Sequence, residues 1–225
     1  EALPVTNKAG LYHVAFVLPT RKALSNALRH YLQVNAPLSG ASDHGYSEAL
    51  YLTDPEGNGI EVYHDKPREQ WDIRPGGEII GVIEALAAED LLSISENQWQ
   101  GFTAGTRIGH VHLKVADLAA SDQFYQEIIG LSLTSNFGDH AKFFAAGDYH
   151  HHLGANDWSG SQLSLMAARD LGIEYYTYQV PTIEEVQRMA NHFSAKHVPF
   201  QTEKSGQLLV KDPNGITVII TNDIR

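Results

Sequence analysis

A chain of 225 residues has room for one large or two ordinary domains with a sizeable core, and 43% hydrophobic with 19% charged residues describes a soluble globular protein. No apolar run approaches the roughly 18 residues of a membrane span, and a formal charge of −11 without Lys/Arg clusters argues against a phosphate-backbone partner, so membrane and nucleic acid are set aside and a cytoplasmic location is the default. The absence of cysteine excludes disulfides, thiolate metal sites and cysteine nucleophiles, so any metal must sit on Asp, Glu or the twelve histidines.

The first module opens over Gly10–Thr20 with a predicted strand that includes Tyr12 to Val17. Thr20 then precedes Leu24, Ala27, Leu28 and Tyr31 at helical spacing. Further strands follow, closing in a hairpin around Asp54-Pro55-Glu56-Gly57, where Pro fixes φ and Gly accepts a positive φ. Residues 65–106 contain Pro67, Pro75-Gly76-Gly77 and a short apolar stretch over Val82–Leu92. They read as a connector with a short helix. A second module starts at Ile108-Gly109-His110-Val111-His112. Asp117 caps its helix, Leu118, Phe124, Tyr125, Ile128 and Ile129 line one face, and Gly130 stops it. A third starts at Gly172-Ile173-Glu174-Tyr175, has a Thr182/Glu185 capping box before Val186, Met189, Ala190 and Phe193, and closes at Asp212-Pro213-Asn214-Gly215.

The chain is therefore α+β, built from tandem βαβββ modules that begin near residues 10, 107 and 171. If modules work in pairs, residues 107–225 form a C-terminal paired-module domain. Residues 1–66 are then the second module of an N-terminal metal-binding domain whose first module is absent from this chain, and 67–106 join the two.

Residue parity decides which side chains meet on a sheet. In the first strand Tyr12, Val14 and Phe16 are expected on one side, and His13, Ala15 and Val17 on the other. In the closing hairpin Leu50, Leu52, Ile60 and Val62 form an apolar face that should pack on the helix. The opposite face collects His13, Tyr51, Glu61 and Tyr63, with Tyr51 across the hairpin from Glu61. A carboxylate on a concave sheet face costs several kcal/mol unless it is paired, and a divalent metal shared with His13 removes that cost. The alternative is a partly solvated glutamate beside a core histidine.

The run His110-Val111-His112-Leu113-Lys114-Val115-Ala116-Asp117-Leu118, with Phe124-Tyr125 and Gly130-Leu131 after it, and the run Asp54-Pro55-Glu56-Gly57-Asn58-Gly59-Ile60-Glu61 resemble the start and end of modules of the vicinal-oxygen-chelate superfamily. That superfamily includes glyoxalase I, fosfomycin-resistance transferases and extradiol dioxygenases. The stretch Ser42-Asp43-His44-Gly45-Tyr46-Ser47-Glu48-Ala49-Leu50-Tyr51, with Tyr51 ten residues ahead of Glu61, is similar to the segment before the carboxylate ligand in extradiol dioxygenases. The nearest likeness is to two-domain bacterial catechol 2,3-dioxygenase-like proteins.

The resemblance implies that His13 and Glu61 are two ligands of a two-His-one-carboxylate set, with the third ligand ahead of Glu1. It implies Fe(II), with Mn, Zn or Ni as alternatives, an aromatic diol and O2 as substrates, Tyr51 bonding a diol hydroxyl and His44 moving a proton. Tyr51 as plain cavity wall and His44 as a solvated turn residue are the alternatives to those two roles. A glyoxalase-like isomerase, a thiol transferase and a non-catalytic binding protein are the competing functions. A carboxylate on the last strand of the partner module would favour the isomerase.

In the third module Tyr175, Ile219 and Leu209 replace His13, Glu61 and Tyr51, so that module is expected to be structural. His110 and the triplet His150-His151-His152 are expected either as polar strand-end histidines or as a second metal site. Whether the chain forms a homo-oligomer is left open.

Overall fold

A computed structural model describes residues 7–96, 99–160, 163–167 and 170–223. The first module runs β1 (Gly10–Val17), α1 (Arg21–Gln33), β2 (Leu38–Asp43), β3 (Ser47–Thr53), β4 (Gly59–Asp65). After it come β5 (Glu84–Ala85) and α2 (Ala88–Ser93). The second module comprises β6 (Arg107–Lys114), α3 (Leu118–Gln123), β7 (Ser132–Phe137), β8 (Ala141–Ala145) and β9 (Leu153–Asn156). The third comprises β10 (Tyr175–Gln179), α4 (Ile183–Ala195), β11 (Phe200–Thr202), β12 (Leu208–Lys211) and β13 (Thr217–Thr221).

The expected N-cap side chains are in place, although the Glu185 carboxylate of the expected capping box pairs with Arg188. Thr20 accepts from the Ala23 amide, Asp117 from Ala120 and Thr182 from Glu185, each satisfying an N-terminal amide that the helix leaves free. The helix after α3 widens to i→i+5 turns over Phe124–Ile129 and ends at Gly130, whose φ of 88° is left-handed. The apolar stretch after Gly81 is helical only from Ala88. Val82 and Ile83 lie ahead of β5, outside any helix, and line the cavity described below.

Nine strands form one curved sheet in the order β5-β2-β3-β4-β1-β6-β9-β8-β7. Its centre is the antiparallel pair β1–β6, flanked by the parallel pairs β1–β4 and β6–β9, so the two halves repeat one arrangement about the β1–β6 seam. The fold is the curled half-barrel of the vicinal-oxygen-chelate type.

This corrects the expected pairing. The module at 10–65 takes its partner from within the chain, at 107–156. The third module forms a separate four-stranded sheet, β10-β13-β12-β11. The physical reason lies in what each surface can satisfy. Pairing β1 with β6 closes two open strand edges by backbone hydrogen bonds. The second and third modules associate instead through apolar side chains, with Leu113, Leu153, Phe124 and Phe144 sharing one core with Val186, Phe193, Leu208 and Val218. The convex face of the first half packs Leu50 and Val62 on Leu24 and Leu28 of α1 and on Leu91 of α2.

Two bulges flank the seam. Leu11 pairs with Leu113 and His13 with His112, leaving Tyr12 as an extra residue. Ala15 pairs with His110 and Phe16 with Ile108, leaving Gly109 as another. A bulge re-aims the side chains on either side of it. Tyr12 was expected with Val14 and Phe16 on the helix-facing side. The bulge turns it into the cavity wall, edge-on to His112 and Trp158.

Candidate metal centre

The concave face of the nine-stranded sheet brings His13 from β1, Glu61 from β4 and His110 from β6 together, all three buried. His13 Nε2 lies 3.0 Å from Glu61 Oε2, His110 Nε2 lies 3.2 Å from the same oxygen, and the two Nε2 atoms are 3.2 Å apart. Three donors at right angles about a metal at about 2.1 Å would be about 3.0 Å apart, and tetrahedral ones about 3.4 Å. The observed triangle falls between the two, so the three donor atoms are close enough to share one ion.

The donor chemistry fits as well. Burial alone would raise the Glu61 pKa, but His110 and His13 outweigh it and hold the carboxyl well below the usual range. Burial brings His110 down to about 4 against the pull of Glu61, so its imidazole is neutral near pH 7 with a lone pair to offer. His110 Nδ1 is buried with no hydrogen-bond partner among the described residues.

His110 was expected either as a polar strand-end histidine or in a second metal site with the His150–His152 triplet, and the third ligand ahead of Glu1. The sheet places His110 beside His13 and Glu61 instead, because β6 runs antiparallel to β1. Among the described residues this is the one cluster of His, Asp or Glu that could hold a metal. The repeat carried a signal for it. Two of the three modules have a histidine in the first strand, His13 and His110, whereas the third has Tyr175.

Tyr51 stands across the hairpin from Glu61 in the β3–β4 register, and both line a cavity of about 680 Å³. Tyr51 Oη is 2.6 Å from His44 Nε2, and His44 Nδ1 is 2.8 Å from the carbonyl of Val82. A carbonyl can only accept, so Nδ1 carries the proton and Nε2 accepts from the tyrosine. The turn that presents His44 is closed by its amide donating to Ser47 and by Gly45 at φ 80°. Burial, with the nearby Glu61 charge, raises the Tyr51 pKa and keeps the phenol protonated. The connector is thus part of the site, since Val82 orients His44.

Two further histidines reach the cavity that parity alone did not assign to it. The His151 ring lies 4.1 Å from that of His110, and its Nδ1 is 2.8 Å from His150 Nδ1, while His150 Nε2 is 2.8 Å from Asp65. His112 accepts from the Asn156 side-chain amide, whose oxygen takes the Trp158 amide. Burial lowers the pKa of both histidines and keeps them neutral.

Glycine makes room for these rings. Glu61 lies opposite Ala15, two residues past His13, and the matching position in the second module, opposite His112 and two past His110, is Gly154. A Cβ there would sit 2.8 Å from the His112 ring. In the third module the same register sets Tyr175 against Thr217, Thr177 against Ile219 and Leu209 against Ile219, so it carries none of the three donors.

Residues 107–220 match the Glyoxalase/Bleomycin resistance protein/Dioxygenase superfamily. The chain is 38% identical over 214 residues to a Bacillus subtilis (strain 168) protein named catechol-2,3-dioxygenase, covering 94% of this chain and 74% of that one. A structure from Bacillus subtilis subsp. subtilis str. 168, provisionally described as a dioxygenase, superposes with a TM-score of 0.58 at 13% identity over 96% of this chain and 63% of that one. A glyoxalase I variant from Zea mays superposes at 0.54 with 12% identity over 95% and 69%. The seam, the concave donor face and these matches agree that the chain belongs to the glyoxalase/bleomycin resistance protein/dioxygenase superfamily.

Proposed function

We propose that the protein is an extradiol dioxygenase, in which His13, Glu61 and His110 hold Fe(II) and a catechol-type diol is ring-opened with O2. The observation that carries this reading is the triangle of two imidazoles and one carboxylate with Gly154 where a fourth ligand would project. A four-ligand isomerase site would need a donor there, and glycine has none. A non-catalytic binding protein would have no use for a carboxylate that is 3% exposed between two histidines.

Such a ligand set leaves one face of the metal open, and Fe(II) there would bring the diol oxygens and dioxygen together and activate the latter. Both oxygen atoms enter the product, the ring C–C bond beside a hydroxylated carbon breaks, and no other reductant is needed. Tyr51 bonds a diol hydroxyl and passes proton density to His44 Nε2. Val82, by accepting from Nδ1, keeps that lone pair turned toward the tyrosine. His151 adds a neutral imidazole on the opposite wall, held by the His150–Asp65 pair. Tyr46, buried and stacked on His150, excludes water behind it.

The test is anaerobic loading of the protein with Fe(II), followed by catechol and oxygen, watching for the yellow ring-opened product. Loss of that product in His13→Ala and Glu61→Ala is expected. No product from the wild type, or an undiminished rate in either variant, would remove the reading. Tyr51→Phe is expected to lower kcat by about 10²-fold, the usual scale for a positioned proton-transfer group, while metal content measured by atomic absorption stays at the wild-type level.

A further inference from the structure

Strand alternation places His110, His112 and Lys114 of β6 on one face, and all three line the cavity. Lys114 is half-buried, and among the described residues its ammonium makes no ion pair or hydrogen bond. It is the one Lys or Arg on the described cavity wall, and Glu61 is the one Asp or Glu. An unpaired, partly desolvated ammonium is costly, and burial lowers its pKa. The setting makes it more unusual, because the chain carries a formal charge of −11 and supplies carboxylates freely elsewhere.

The charge balance of the cavity points the same way. A divalent cation against the single carboxylate of Glu61 leaves one positive charge, which a diol that has lost one proton would neutralise. Lys114 leaves a second. At about 3.3 Å per residue, its Cα lies about 13 Å along the strand from that of His110, enough for an aromatic ring and a short tether between metal and ammonium. Tyr12 and Trp158, both partly exposed, flank His112 between the two ends. They offer ring surfaces to an aromatic body.

We propose that Lys114 is a specificity residue that receives a carboxylate, so that the substrate class of this site is a catechol bearing an acidic side chain. This rests on the dioxygenase reading above. The residue binds the end of the substrate remote from the reacting carbons, so it acts on selection among diols.

The experiment compares 4-methylcatechol with 3,4-dihydroxyphenylacetate and 3-(3,4-dihydroxyphenyl)propionate in two ways. One is kcat/KM for Fe(II)-loaded protein with O2. The other is Kd by calorimetry on Zn(II)-loaded protein without turnover. At least one carboxylated diol is expected to be preferred by about tenfold or more in both, as for a partly desolvated ion pair. Lys114→Met should collapse that ratio and Lys114→Arg should keep it. Lys114→Gln serves if the methionine variant does not fold. Equal values for charged and uncharged diols, or a preference that survives in K114M, would overturn the proposal. Should no diol be ring-opened, the dioxygenase reading fails and the calorimetric ratio alone decides the role of Lys114.

Discussion

Replacing His110 with alanine is expected to abolish stoichiometric divalent-metal binding and to lower ring cleavage by ~10³-fold or more, the scale set by losing several kcal/mol of metal-centred stabilisation. The geometry gives the reason. His110 Nε2 lies 3.2 Å from both Glu61 Oε2 and His13 Nε2, which are themselves 3.0 Å apart, and removing it leaves one imidazole and one carboxylate, a set too sparse to fix the ion in one orientation. His110→Gln separates ligation from packing, because it keeps much of the side-chain volume while removing the imidazole. His140→Ala is the control, an exposed histidine paired to Asp157 outside the cavity, and should bind metal as the wild type does. Metal content, circular dichroism and product formation on the same preparations make the check. Full metal content in both His110 variants would show that the third ligand comes from elsewhere.

The repeat, the helix caps at Thr20, Asp117 and Thr182, the Asp-Pro-x-Gly turns and the Tyr51–Glu61 register are local or set by a short hairpin, and local chemistry fixes them. The partner of β1 is not local. Three modules with similar ends admit more than one pairing, and the choice rests on edge hydrogen bonds and core complementarity between segments about 95 residues apart, which no spacing rule encodes. The misplacement of Tyr12 has a different origin. Parity presumes an unbroken ladder, and a single extra residue between Leu11 and His13 suspends it. His44 was legible as a polar turn residue near Tyr51. Its tautomer was not, because Val82, 38 residues on, decides it.

Gly109→Ala is expected to destabilise the protein by about 1–3 kcal/mol, as overpacking of a filled core does, and to lower Tm by about 3–10 °C for a chain of this size. Gly109 is the unpaired residue of the β6 bulge, one position before His110. A Cβ there would lie 1.9 Å from Tyr63 Oη and 2.7 Å from Cζ. The tyrosine cannot yield easily. It is fully buried, its ring is rigid, and its hydroxyl is 2.7 Å from that of Tyr149, which donates to Asp65. The added methyl must therefore push the β6 backbone away from β4, and His110 moves with it. Metal affinity should fall together with Tm, although alanine touches no ligand atom. Tyr63→Phe removes the nearest atom, so the double variant should recover part of the loss, with a coupling energy of about 1 kcal/mol. A G109A protein that melts and binds metal like the wild type would show that the close approach of β6 to Tyr63 is not what holds His110 over Glu61.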